Sequence, residues 1–346
     1  MKILVIGGTG TISSAVTRLL VAEGHDLWVL NRGNRRDEVP AGVKQVIVDI
    51  NAHNDDVVVT NMLGDDEHFD AVCEFIGYLP EQVARDIRIF SGRTKQYVFI
   101  SSASAYNKPV RHHVITEGTT LANPYWEYSR NKIACEELLM KAYREQGFPV
   151  TIVRPSHTYC ERRVPVSVHG SKGSWQVLKR MMDGKRVIVH GDGSSLWTLT
   201  WNEDFARGFI GLLGNPKAIG EAFHITSDES LTWNQIYQAI ADALGVEFKP
   251  YYIASDYLAA ISPSEYNCEG NLLGDKAASV VFDCTKLKTL VPDFCATTRF
   301  DKGVRRAVAY LKSHPEACVE DPDFDSWCDR VIESMEEAKK RIQSSM

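Results

Sequence analysis

The sequence predicts an α/β protein built on a doubly wound parallel sheet, with a smaller C-terminal α/β lobe. Three observations carry the prediction. Met1-Lys2-Ile3-Leu4-Val5-Ile6 is an apolar run without polar alternation, the mark of a strand covered on both faces. It breaks into Gly7-Gly8-Thr9-Gly10 and resumes with helical spacing at Val16, Leu19 and Leu20. Further strand-length apolar runs then recur, at His25–Leu30, Gln45–Ile50, Asp70–Tyr78, Gln96–Ser102 and Pro149–Pro155, with room for crossover helices between them.

Beyond Pro155 the pattern changes. Residues 156–174 are rich in turn residues and histidines, and Gly170 and Gly173 could act as hinges. A helix over 174–183, strands at Val187–Val189 and Phe223–Thr226, and an amphipathic helix over 232–244 capped by Thr232 follow. The expected division is a first domain over 1–155 with contributions from about 195–225, a substrate lobe over 156–310, and a helical appendage over 311–346 that packs or supports a dimer.

Composition narrows the function classes. The 346 residues are 24% charged and 44% hydrophobic, an ordinary soluble profile. A net charge of −6 speaks against nucleic acid or an anionic membrane as a general partner. No apolar run nears the roughly 18 residues that span a bilayer, and Met1 leads into a strand rather than a signal peptide. The eight cysteines lie singly, without zinc spacing, so neither a disulfide scaffold nor a metal site is expected. Reduced thiols fit a cytoplasmic location.

The chemistry-bearing residues sit where the strands end. The glycines allow a sharp turn and close approach, and free N–H groups at a helix start seat a phosphate. The second strand ends at Asn31, with Arg32, Arg35 and Arg36 nearby instead of a carboxylate. Guanidinium groups suit a 2′-phosphate, which tilts a dinucleotide towards NADP over NAD; a solvated basic loop is the plain alternative. Asp49 is placed to cap its loop or reach an adenine, and Ser101 and Ser102 close the fifth strand. Tyr128 and Lys132 stand four apart on a helix pattern, with Cβ atoms about 5–6 Å apart. An ammonium beside a phenol favours the phenolate, giving an acid/base suited to an alcohol or sugar hydroxyl.

Gly7-x-x-Gly10, Ser102 and Tyr128-x-x-x-Lys132, in this order, resemble the short-chain dehydrogenase/reductase superfamily and its Rossmann fold. Chain length and the Arg154-Pro155 element resemble its extended branch, the NAD-dependent epimerase/dehydratase family, over roughly residues 1–310. The resemblance implies that Tyr128 is the catalytic acid/base and Lys132 holds the nicotinamide ribose and lowers the tyrosine pKa. Ser102 bonds the reacting oxygen. The dinucleotide would contact Gly7, Thr9, Gly10, Thr11, Ile12, Asn31, Arg32, Asp49, Ile50, Phe75, Ile76, Gly77, Ser101, Lys132, Pro155 and His157. Substrate would meet Ser104, His157 and Trp197.

Departures from the family pattern are informative. Ser13 replaces the third glycine, and Glu74 precedes a bulkier Phe75-Ile76-Gly77 where a His and small residues are usual. The arginines that clamp a nucleotide diphosphate are replaced by Trp197 and Leu272, which puts a nucleotide sugar in doubt. Trp197 and Trp201 could instead stack on an unactivated sugar or sit in a core. The Asp-Glu pair of dehydratases is Ala103-Ser104 here, and His157 stands in place of an Asn. Some departures resemble an atypical subgroup related to chloroplast stem-loop-binding proteins. The expectation is therefore an NAD(P)-dependent epimerase or oxidoreductase acting on a secondary hydroxyl of a sugar-like substrate, as a homodimer. The alternatives are a simple NADP-dependent reductase of a small carbonyl compound, or a non-catalytic protein binding RNA or a protein partner.

Overall fold

The computed structural model describes residues 1–35, 39–52, 56–64 and 66–346. They form two compact units, Met1–Thr158 with Thr198–Asp228 and Val281–Thr298, and Tyr159–Trp197 with Glu229–Val280 and Arg299–Met346.

The first unit is a seven-stranded sheet. Its strands are β1 (Lys2–Ile6), β2 (Asp26–Asn31), β3 (Lys44–Ile47), β4 (Ala71–Glu74), β5 (Tyr97–Ile100), β6 (Val150–Pro155) and β7 (Ala222–Ile225). They lie in the order β7-β6-β5-β4-β1-β2-β3, and every neighbour pairs parallel. Alternation along β1 explains the unbroken apolar run. Ile3 and Val5 join one core with helix α1 (Ser13–Ala22) and the helix Asn202–Ile210, whereas Leu4 and Ile6 face a second core. That second core includes residues of α2 (Asp56–Leu63), α3 (Pro80–Phe90) and α4 (Glu127–Gln146). Both faces are covered, as parallel sheets require.

From β1 the chain runs outward to β2 and β3, then returns to place β4 on the other side of β1. The crevice outside the strand ends at this reversal is where such sheets bind ligands. Two segments depart from the expected division. Residues 281–298 join the first unit, because Val281–Phe282 pairs with Val114–Ile115 and Leu287 and Phe294 enter the first core.

Residues 311–346 are the other departure in bounds: they fall within the second unit, on which they pack, and not in a division of their own. Their helix Pro322–Ser345 is tied down by Arg180, whose guanidinium donates to Asp325 at 2.7 Å and Asp329 at 2.8 Å. Elsewhere in this unit Val187–His190 pairs parallel with Pro250–Ile253. Helix Trp233–Leu244 starts at Thr232 with the expected cap, completed by Gln235 as a capping box. All eight cysteines are free.

Candidate active site

The glycine turn is shaped by contacts that only glycine permits. Gly7 has φ +83°, and a Cβ there would lie 2.5 Å from Ile76 Cγ2. Ser13 does more than replace a third glycine with a small residue. Its hydroxyl donates to Gly7 O at 2.5 Å and accepts the Gly10 N–H at 2.9 Å, tying the turn from inside. Thr17 donates to Gly8 O at 2.8 Å, and Asn202 Nδ2 to Thr11 O at 3.0 Å.

The Ile12 cap of α1 has no side-chain partner, and the backbone N–H groups of Thr11 and Ile12 find no acceptor among the described residues. A pyrophosphate fits this arrangement, because the turn offers unspent donors at a helix N-terminus.

At the end of β2, Asn31 turns back on its own loop, its Oδ1 accepting the Gly33 N–H at 2.8 Å. Arg32 is exposed, and Arg35 donates to Thr9 O at 3.2 Å across the glycine turn. Arg36 lies outside the described residues. Asp49 caps its loop through the Asn51 N–H at 3.1 Å, Ile50 is buried, and Asn51 Nδ2 reaches Ile76 O at 3.3 Å.

Glu74 is fully buried beneath the turn that follows β4, where its Oε1 accepts the Ile76 N–H at 2.5 Å. Burial and the facing Asp86 carboxylate push its carboxyl well above the usual range. Asp86 carries the charge of the pair, held by Arg85 at 2.8 Å and by the Tyr97 hydroxyl at 2.7 Å. Glu74 thus shapes the turn carrying Phe75, Ile76 and Gly77, and it faces Asp86 on α3.

Helix α4 carries Tyr128 and Lys132. Lys132 is almost fully buried and its Nζ donates to Gly77 O and Ile100 O, both at 2.7 Å. The ammonium lies 5.8 Å from the Tyr128 ring centroid. Burial brings its pKa down to about 8. Tyr128 is half-buried, with Trp126 and Tyr78 against its ring at 5.0 and 6.3 Å. Ser102 is half-buried, Ser101 and Ser104 are buried, and Ser104 is drawn into hydroxyl contacts with Ser102 and Ser129. The expected substrate role of Ser104 meets a side chain only 4% exposed.

Pro155 ends β6 and His157 follows it, half-buried, in the same unit. Trp197 belongs to the second unit; it and Trp201 are 2% exposed, which corrects the idea of an open stacking face. Leu272, at the other place of a missing arginine, is fully buried.

Ser129 and Asn202 escaped sequence reading. A serine after a tyrosine and an asparagine opening a helix carry no pattern that marks their partners. Among the described residues no helix is long and apolar enough to cross a membrane, and no cluster of His, Cys, Asp and Glu could hold a metal.

Sheet order and glycine turn define a dinucleotide-binding α/β protein of the Rossmann type. The model of the NAD dependent epimerase/dehydratase family matches residues 3–226, and the chain belongs to that family of enzymes. The 2'-dehydrokanamycin reductase of Streptomyces kanamyceticus is 26% identical over 298 residues, which cover 85% of this chain and 80% of that protein. The chloroplast stem-loop binding protein of 41 kDa b of Arabidopsis thaliana is 26% identical over 254 residues, covering 70% of this chain and 63% of that protein. UDP-glucuronic acid 4-epimerase of Bacillus cereus, solved with UDP-glucuronic acid and NAD, matches with a TM-score of 0.70 at 18% identity, over 90% of this chain and 99% of that one. At that identity the likeness is one of fold.

Proposed function

We propose that this protein interconverts a secondary hydroxyl and a ketone on a sugar ring that carries no nucleoside diphosphate, with NADP(H) preferred. The observation that carries the reading is Lys132, an ammonium that donates to two backbone carbonyls and lies 5.8 Å from the Tyr128 ring centroid, one helical turn away. The nicotinamide supplies or accepts the hydride. Tyr128 exchanges the proton of the reacting oxygen, and Lys132 stabilises its phenolate and orients the ribose. Ser102 donates a hydrogen bond to the oxygen as it gains carbonyl character. The Thr11 and Ile12 N–H groups hold the pyrophosphate.

Trp197 and Leu272 in place of arginines argue for a substrate without a diphosphate, and the likeness to the 2'-dehydrokanamycin reductase of Streptomyces kanamyceticus supports a reductase reading. Arg32 and Arg35, with no acid at the end of β2, support the 2′-phosphate. The experiment is NADPH oxidation with 2′-dehydrokanamycin, set against UDP-glucose epimerisation with NAD. Turnover of the first alone is expected, and turnover of UDP-glucose alone would overturn the substrate class. Tyr128→Phe should lower kcat at least about 100-fold; full activity would remove the mechanism. Arg32→Ala should weaken NADPH binding about tenfold and leave NADH unchanged; equal losses would count against the phosphate.

A further inference from the structure

Ser129, the residue after Tyr128, has no exposure to solvent, yet its hydroxyl donates to Ser104 Oγ at 2.7 Å. Ser104 Oγ lies 2.8 Å from Ser102 Oγ, and the Ser104 N–H donates to that same Ser102 oxygen at 3.2 Å. Asn123 Nδ2, donating to Ser104 O at 2.7 Å, holds the turn in place. Three hydroxyls thus run in file from the buried side of α4 to the end of β5.

Their protons can be ordered, because each hydroxyl has one proton and two lone pairs. Suppose Ser102 donated to Ser104. The Ser104 oxygen would then accept twice, and its own proton would have no recorded acceptor among the described residues, at a site 4% exposed. A buried donor left unmet is the costly arrangement. In the opposite order every proton is placed: Ser129 donates to Ser104, and Ser104 donates to Ser102. Both lone pairs of Ser102 are then filled, by the Ser104 hydroxyl and the Ser104 N–H. Its own proton is left for the half-open side of the residue.

We propose that Ser104 and Ser129 are positioning residues that fix Ser102 as an obligate hydrogen-bond donor. Ser102 cannot accept a proton in this state, so the entire proton exchange with substrate falls to Tyr128. The proposal deepens the catalytic reading of Ser102 and Tyr128 and rests on it. It also reassigns Ser104, which works through Ser102 and does not touch substrate.

Neutron diffraction from the deuterated protein tests the order without any substrate. The deuterons of Ser129 and Ser104 should lie on the lines to Ser104 and Ser102, with that of Ser102 pointing away from both. A Ser102 deuteron directed at Ser104 overturns the proposal. Kinetics on 2′-dehydrokanamycin with NADPH give the second reading. Ser104→Ala and Ser129→Ala should each lower kcat roughly five- to tenfold, the worth of one hydrogen bond, with the KM for NADPH unchanged. The double variant should be no slower than Ser104→Ala, and Ser129→Thr should restore the rate. Multiplying losses, or a loss carried by KM for NADPH, would show independent packing effects. If Ser102→Ala keeps full activity, the catalytic reading has failed; if only Ser104→Ala and Ser129→Ala do, the file of hydroxyls alone has failed.

Discussion

Lys132, on α4, and Arg154, bonded to Glu136 of the same helix, are both buried cations, at 1% and 5% exposure, and their surroundings are opposite. Arg154 meets a full carboxylate. Its guanidinium donates to Glu136 at 2.9, 3.2 and 2.5 Å and to the Tyr106 hydroxyl at 2.9 Å. Burial alone would depress its pKa, but Glu136 and Tyr106 hold it above the ordinary arginine value. Among the described residues the Lys132 ammonium donates to two backbone carbonyls and to no carboxylate, and burial lowers it to about 8. Glu136 is one turn from Lys132 on the same helix, yet its charge is spent on Arg154. A paired cation fixes architecture, whereas one left with dipoles alone can lend its field and its proton to chemistry.

Around Arg154 the network extends to the sheet edge. Tyr106 shares a 2.5 Å hydrogen bond with the His224 ring, and the His224 backbone N–H donates to Glu117 at 2.9 Å. These bonds stitch the segment between Ser102 and helix α4 onto β6 and β7. The precision of the site rests on that stitching, since Ser102 and Tyr128 stand at the two ends of the segment.

Removing a partner should break the comparison most severely at Arg154. Glu136→Ala leaves a buried guanidinium uncompensated, and a loss of about 3–5 kcal/mol is expected in urea unfolding. A loss under about 1 kcal/mol, the surface-pair range, would mean that the pair is not held as described.

At Lys132 the expected effect falls on rate. Lys132→Met should lower kcat about 100-fold or more while the protein remains folded. The same variant sharpens the electrostatics. Because the folded pKa of about 8 lies below the ordinary 10.5, the unfolded chain binds more protons between those values. The wild type should therefore gain stability as pH rises from about 8 to 10.5, by up to about 3 kcal/mol. Subtracting the Lys132→Met curve should isolate that gain. Identical slopes for the two proteins would refute the depressed value.

The smallest expected effect is at Asn202, which holds the glycine turn through one neutral hydrogen bond. Asn202→Ala should weaken dinucleotide binding about fivefold, measured by NADPH fluorescence, with little change in unfolding. Unchanged affinity would show that the turn keeps its shape unaided.

The strands, the glycine turn and the Tyr128–Lys132 pairing were legible from the chain because they depend on local rules: apolar runs, positive φ, and helical spacing of four. Thr232 as a cap and the helix near the C-terminus follow the same logic. Long-range partners were not legible. Ser13 bridging Gly7 and Gly10 lies within one turn, yet no residue pattern announces a hydroxyl that both donates and accepts. Glu74 reads from the chain as either a structural acid or a ligand contact, and the fold turns it inward against Asp86, 12 residues away on another element. Trp197 reads as either an aromatic platform or a core residue, and its burial decides for the core.

Sequence alone settles which residue types stand at each strand end, because strand and helix periods are set by backbone geometry. Burial, which tunes Lys132 and orders the protons of Ser129, Ser104 and Ser102, is decided only when segments far apart in the chain close around them and exclude water.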